Sequence, residues 1–437
     1  MAVNMQPQLL PPAQTASKSK NETNFVDNMR LPIHRWFRFS AGYSAQWVEG
    51  VLAAYGKNQD SQAGPPRVLD PFSGSGTTLL AASSLGSDSV GWESQPFIHR
   101  VAQAKVASVG VTAGDLLEAG ERVLQNALRD SSKARAPKEE PPLLLKCYEP
   151  EALAGLRGIQ AAVEKESSKN SKEVADLLWL TLVSILRPVS HVGTAQWQYV
   201  LPNKTKAKTV TPFEGFEAKL HMIASDLEEV EALYTGDIAL SFQDARDPSG
   251  IADNSVDLVI TSPPYANNFD YADATRLEMT FLGEVESWSD LKAIRETLIH
   301  ACSQHMTGYD ADAHLSDPLL DSIRSDLEPI YEKLAAVRET KGGKKAYHSM
   351  IVGYFYDMAR VWVNLRRAVR PGGVAHFVVG DSAPYGVYVP VDEFHGRLAV
   401  AAGFDSFDFE KLRDRNIKWK NRKHRVPLKE GVLEVRG

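Results

Sequence analysis

Arg67-Val-Leu-Asp-Pro-Phe-Ser-Gly-Ser-Gly-Thr-Thr78 decides the fold. It begins as a short apolar strand ending on a carboxylate, Asp70. Gly74 and Gly76 then turn the chain with no Cβ in the way, and Thr78 to Leu85 reads as the helix that follows. Working outward, Asp88 to Glu93 reads as a second strand and Ile98 to Val109 as a second helix. Strand, helix, strand, helix predicts an α/β chain with a mostly parallel sheet.

The sheet pattern returns at Val256-Asp-Leu-Val-Ile260, an apolar strand that ends in Ser262-Pro-Pro-Tyr265. Tyr347 to Val369 reads as a long amphipathic helix that Arg370-Pro-Gly-Gly373 stops. Val374 to Val379 is a further buried strand ending at Gly380-Asp381, and Phe404 to Val435 reads as a final hairpin. Between these parts lie a polar loop from Asp130 to Pro142 and helical stretches at Glu151 to Val163 and Val174 to Leu186. An irregular run from Arg187-Pro188 through Lys208 and another helical stretch, Phe216 to Tyr234, follow. The expected division is an arm at 1–24, a cofactor-binding half at 25–125 and a helical insertion at 126–235. The catalytic part then spans 236–283, a second charged helical insertion 284–345, and the rest of the core with a basic tail 346–437.

Composition narrows the class. The 437 residues are 43% hydrophobic and 24% charged, ordinary for a globular protein. No apolar run reaches the eighteen or so residues a membrane span needs. The N-terminus lacks a secretory pattern, so a cytoplasmic location is expected. Two isolated cysteines, Cys147 and Cys302, make neither a disulfide framework nor a zinc site, and no metal is expected. His300 and His305 are five apart, on different faces if helical, and read as non-ligands. The net charge of −6 counts mildly against a simple nucleic-acid binder, but an enzyme needs only one basic face.

The Gly-rich turn carries chemistry. A strand, Gly-x-Gly and a helix start make a nucleotide-type site, because the backbone comes close and the helix offers free N–H groups. A pyrophosphate fits poorly. Leu79 stands where a dinucleotide turn has its third glycine, and Asp70 would repel a phosphate. A carboxylate there suits a cationic amino-acid moiety, and S-adenosylmethionine brings an ammonium, a sulfonium and no phosphate. Glu93 closes the second strand, where an acidic side chain can bind ribose hydroxyls. The plain alternative is a tight strand-to-helix turn with a capping Asp.

Two prolines after a buried strand fix a rigid turn at its carboxyl end, the edge where ligands bind in an open α/β sheet. An exocyclic amino group of a base is a poor nucleophile, its lone pair being delocalised into the ring. Two fixed acceptors, the Ser262 hydroxyl and the Pro263 carbonyl, can hydrogen-bond both N–H groups and favour a pyramidal nitrogen. Tyr265 offers a flat face to a base turned out of the duplex. Taken alone, Pro-Pro-Tyr would be an ordinary loop anchor.

At these residues the chain resembles the amino-group DNA methyltransferases, which methylate N4 of cytosine or N6 of adenine. Asp70-Pro-Phe-Ser-Gly-Ser-Gly-Thr-Thr78 is similar to that family's cofactor motif and Thr261-Ser-Pro-Pro-Tyr265 to its catalytic motif. The resemblance implies a Rossmann-like seven-stranded methyltransferase sheet, its last strand antiparallel, with helical insertions. It implies S-adenosyl-L-methionine as cofactor, DNA as partner, and a restriction-modification setting with protein partners unassigned. Carried over, Ser262, Pro263, Pro264 and Tyr265 are catalytic; Asp70, Pro71, Phe72, Gly74, Ser75, Gly76, Thr77 and Glu93 bind the cofactor. Phe37 and Ser40 resemble an extra cofactor segment, Asp244 the acidic position at the adenine end, and Val379-Gly-Asp381-Ser382 a motif lining the base pocket. Ser at the first catalytic position leans toward N4 of cytosine. N6 of adenine, an RNA base and a non-catalytic DNA-binding protein stay open as alternatives. The cofactor motif precedes the catalytic one, the reverse of many Ser-Pro-Pro-Tyr members, which leaves the subclass open.

Two stretches are candidate nucleic-acid surfaces. Lys411 to Arg425 is basic and carries Trp419. Gln196-Trp197-Gln198-Tyr199, with Lys204, Lys206 and Lys208, combines amides, aromatics and charge. A solvated hairpin edge and a packed loop are their plain readings.

Overall fold

The computed structural model describes residues 25–39, 41–57, 64–108, 110–131, 140–194, 199–230, 233–247, 250–342, 345–415 and 426–437. In chain order its strands are β1 (Val68–Asp70), β2 (Ser89–Glu93), β3 (Val192–Thr194), β4 (Val200–Thr205), β5 (Ile238–Phe242), β6 (Val256–Thr261), β7 (Val369–Gly380), β8 (Ser406–Arg415) and β9 (Leu428–Arg436). Seven of them form one sheet in the order β5-β2-β1-β6-β7-β9-β8. The first five neighbours are parallel, and β9 runs antiparallel to both β7 and β8. The last strand of the chain is therefore the antiparallel one, inserted between the two that precede it. This is the Rossmann-like methyltransferase sheet that the resemblance implied.

Strand order places the site. From β1 the chain steps outward to β2 and later β5, then returns to β6 on the other side of β1. The crossovers above β1 and β6 thus part in opposite directions, opening a crevice at the carboxyl ends of these two strands. The Gly-rich turn follows β1 and Ser262-Pro-Pro-Tyr265 follows β6, so topology alone sets the two motifs side by side.

Burial explains the layers. Val68, Leu69, Val259 and Ile260 are fully buried, as expected of strands covered on both faces. One face is covered by helices Ala45–Lys57, Thr77–Ser84 and Pro96–Val106, and helices Ala113–Ser131, Pro150–Ser167, Lys172–Val189 and Pro212–Val230 form a further bundle beyond them around Trp36, Phe97 and Trp179. The other is covered by Asp321–Thr340, Tyr347–Ala368 and Val391–Ala401, with Trp362 stacked on Phe377 at 4.3 Å. Helix Ala113–Ser131 has no counterpart in the sequence reading. Gly114 and Gly120 dilute its helical signal, yet a Cβ at Gly120 would run into the Leu220 side chain, so that glycine serves close helix packing.

Several sequence expectations shift. The run from Arg187 to Lys208, read as irregular, continues the preceding helix to Val189 and then forms the β3–β4 hairpin. β5 has no counterpart in the sequence reading, being a half-exposed edge strand of five residues. The expected strand Val374–Val379 is longer, starting at Val369, and Arg370-Pro-Gly-Gly373 lies within it. The arm at 1–24, Ser40, Gln196–Gln198 and residues 416–425 of the basic tail lie outside the described residues. Among the described residues no helix is long and apolar enough to cross a membrane.

Candidate active site

The ends of β1 and β6 are stapled by side chains. Asp70 is fully buried, and its Oδ1 accepts from the Thr261 hydroxyl at 2.6 Å and the Phe72 amide at 3.0 Å. Its Oδ2 accepts from the Tyr43 hydroxyl at 2.8 Å. Burial raises the Asp70 pKa, and these donors oppose the rise. One carboxylate thus joins the cofactor-type turn, the catalytic-type strand and the N-terminal segment.

The turn itself is tight. The Ser73 hydroxyl donates to the Asp70 carbonyl at 2.9 Å, and the Gly76 amide to the Ser73 carbonyl at 2.8 Å. Gly74 has φ +51° and Gly76 φ +86°, the left-handed region that favours glycine. A Cβ on Gly74 would stand 2.8 Å from the Phe39 ring. Glu93, ending β2, accepts from the Gly74 amide at 2.9 Å and the Gln95 amide at 2.8 Å. Burial pushes its pKa up to about 7.

On the other lip, the Ser262 hydroxyl donates to the Val378 carbonyl at 3.3 Å, anchoring the Pro-Pro turn on β7. The Tyr265 amide donates to the Tyr271 hydroxyl at 3.4 Å, and burial pushes the Tyr265 phenol above its usual range. The Ser382 hydroxyl donates to the Ala266 carbonyl, tying the loop after β7 to the same turn.

Between the lips lies a cleft partly open to solvent. Of the residues read from sequence, Phe72, Gly74, Ser75, Thr77, Glu93, Asp244, Ser262 and Pro264 line it. Asp70, Pro71, Gly76, Pro263 and Tyr265 are not among its lining residues; Asp70 lies beneath it, used by internal donors. Phe37 packs into the core, 5.7 Å edge-to-face from Phe97, and Phe39 lines the cleft instead. Asp244 is engaged by Arg246, whose Nη2 donates to it at 2.6 Å and whose Nη1 donates to Asp357 at 3.0 Å.

The sequence reading missed Ala41, Gly42 and Tyr43, which reach the cleft from the N-terminal segment, and Gln95, Ile98, Phe269 and Tyr271 on the walls. The segment is held by Asp226, whose carboxylate accepts from the Ile33 amide at 3.2 Å, Arg35 Nε at 3.0 Å and Trp36 Nε1 at 2.7 Å.

Electrostatics select the kind of ligand. The lining includes two carboxylates, Glu93 and Asp244, and no Lys, Arg or His. With no cationic side chain among its described lining residues, the cleft suits a ligand with a cationic group and an apolar body better than a pyrophosphate.

Lys206 donates its Nζ to the carbonyls of Arg187 and Ser190 at 2.5 and 3.0 Å, so it is spent on a helix end. Tyr199 Oη accepts from the Asp270 amide at 2.6 Å. His300 and His305 do not diverge on one helix. Their rings meet edge-to-face at 5.5 Å, and His300 Nδ1 bonds Asp357 at 2.7 Å. Among the described residues no group of His, Cys, Asp and Glu has a metal-binding arrangement.

Comparison with known proteins agrees with this geometry. A family model described as DNA methylase matches residues 60–104, the Gly-rich turn with its flanking strands. The Type II methyltransferase M.BsoBI of Geobacillus stearothermophilus is 24% identical over 454 residues, covering 92% of this chain and 84% of that protein. The Type II methyltransferase M.AvaI of a Nostoc species is 25% identical over 417 residues, covering 89% and 82%. Among solved structures, the rRNA methyltransferase aviRa from Streptomyces viridochromogenes covers 93% of this chain and 85% of its own. It does so at 10% identity and a TM-score of 0.26, a superposition too loose to bear on function. With its seven-stranded sheet, the chain is similar over about nine-tenths of its length to Type II methyltransferases, and its Gly-rich turn carries the match to the DNA methylase family model.

Proposed function

We propose that this chain transfers a methyl group from S-adenosylmethionine to the exocyclic amino nitrogen of a base turned out of DNA, with N4 of cytosine as the favoured target. The observation that carries the reading is the shared cleft: Gly74 and Glu93 on one lip, Ser262 and Pro264 on the other, stapled by Thr261 and Asp70. Glu93 would hold the ribose hydroxyls, the Ser75 and Thr77 amides at the helix start the carboxylate of the methionine moiety, and Asp244 the adenine end. When bound, S-adenosylmethionine supplies a methyl on a sulfonium that departs as a neutral thioether.

The chain's own residues do the rest by positioning. The Ser262 hydroxyl proton is directed at the Val378 carbonyl, which turns oxygen lone pairs outward. That oxygen and the Pro263 carbonyl accept the two N–H bonds of the amino group, drawing its lone pair out of the ring. Neither is a base at neutral pH, so the nitrogen reacts uncharged and sheds a proton only after methylation has made it acidic. Tyr265 stacks the base and sets its depth. Cytosine is favoured because Ser, rather than Asp or Asn, stands at the first position of the motif.

The test is expression in a host without DNA methylation, followed by single-molecule sequencing of its genome. The reading expects N4-methylcytosine at one short recurring sequence. N6-methyladenine would change the base, and an unmodified genome beside folded protein would remove the activity.

A further inference from the structure

We propose that Arg415 is a positioning residue for the target base, holding the Tyr265 ring as a fixed stacking platform; this rests on the base-methyltransferase reading above. Two prolines fix the backbone before Tyr265, but they leave its side-chain torsions free. Within the motif the Ser262 side chain hydrogen-bonds the Tyr265 hydroxyl, and a group outside the motif covers the ring itself. The Arg415 guanidinium stands 5.0 Å from the centroid of that ring, within reach of a cation–π contact.

The guanidinium is itself held. Its Nη1 donates to the Asp381 carbonyl at 2.9 Å, and its Nε lies 3.5 Å from the carboxylate of Glu430, a buried residue on β9. Gly380, at the end of β7, leaves the room it needs: a Cβ there would stand 2.6 Å from Nη1 and 3.2 Å from Cδ of Arg415. The Arg415 side chain is 14% exposed, so the contact is little weakened by solvent. A planar fork bonded to a carbonyl and facing a carboxylate cannot rotate freely. Covered on one face by such a group, the ring is held in one orientation, and on this inference its other face is the one a base would meet. β7, β8 and β9 meet here, which links the antiparallel end of the sheet to the catalytic turn on β6. Arg413, two residues earlier on the same strand, also pairs with Glu430, but no contact with the Tyr265 ring accompanies it.

The experiment compares wild type, Arg415→Ala, Arg415→Lys and Arg413→Ala. It measures kcat and KM on unmethylated genomic DNA, affinity for S-adenosylmethionine, and thermal midpoint. Arg415→Ala is expected to lower kcat on the order of tenfold or more, with cofactor affinity kept within about twofold. Arg415→Lys restores part of the loss, keeping the cation without the fork, and Arg413→Ala keeps kcat within about twofold. Should the alanine variant not fold, Arg415→Gln makes the same comparison without the charge. Wild-type kcat in folded Arg415→Ala, or equal losses in Arg413→Ala, overturns the inference while leaving the activity intact. An inactive wild type overturns the methyltransferase reading itself.

Discussion

Glu93 makes the binding of S-adenosylmethionine depend on pH, with a sign that the structure fixes. Burial raises its pKa to about 7, and only the ionised form can accept from two ribose hydroxyls at once. Between pH 8 and pH 6 the ionised fraction in the free protein falls from about nine-tenths to one-tenth. Affinity should therefore weaken roughly tenfold, about 1.4 kcal/mol, as pH falls from 8 to 6, and level off above pH 8. Glu93→Gln should bind about ten- to a hundredfold more weakly at pH 8, having lost charge-assisted bonds, and should lose this pH dependence. The cofactor's own amino group titrates in the same range, so the difference between the two profiles isolates Glu93. The same shift acts on stability. A carboxyl whose pKa is raised on folding favours the folded state at low pH, and that contribution is lost as pH rises from 4.5 to about 7. Allowing for partial exposure, the loss is about 2 to 3 kcal/mol, which the glutamine variant would not show. Isothermal titration at pH 6, 7 and 8, with urea unfolding of both proteins without cofactor, measures both effects. Parallel affinity profiles for wild type and variant would refute the reasoning.

Three further outcomes follow from particular contacts. Gly74→Ala should weaken cofactor binding at least tenfold and destabilise by about 1 to 3 kcal/mol, since it meets both a positive φ and the Phe39 ring, read by titration and thermal unfolding. Asp226→Ala should cost at least about 3 kcal/mol in urea unfolding, because the Ile33 amide, Arg35 and the Trp36 indole lose one shared acceptor. It should also loosen the segment that brings Phe39 and Tyr43 to the cleft. Tyr265→Ala should cut turnover about a hundredfold with cofactor affinity kept within about twofold, as stacking platforms are worth about 1 to 3 kcal/mol per base.

The motifs were legible because their chemistry is local. Gly74, Gly76 and the paired prolines impose their backbone whatever surrounds them, and the apolar strands before them announce a buried sheet. The family resemblance implied a seven-stranded sheet with an antiparallel last strand but not the strand order, and that order is what turns two separate motifs into one crevice. What stayed illegible depends on partners distant in sequence. Asp70 was read as facing the cleft, but Tyr43, 27 residues away, and Thr261, 191 residues away, draw it beneath. Phe37 and Phe39 have the same chemistry, and only packing against Phe97 decides which goes inward. Lys206 reads as a surface charge until the carbonyls of Arg187 and Ser190 are placed beside it. Arg415 sits in a run of basic residues that looks like a solvated edge, and its contact with Tyr265 exists only because β7, β8 and β9 adjoin.

The most direct measurement incubates the purified chain with methyl-tritiated S-adenosylmethionine and DNA from a methylation-free host, then digests the DNA and separates the nucleosides. Label should elute with N4-methylcytidine in its deoxy form, and Tyr265→Ala should lose most of it. Label on a ring carbon, or no label in DNA while the protein binds the cofactor, would contradict an amino nitrogen meeting a methyl donor between Gly74 and Ser262.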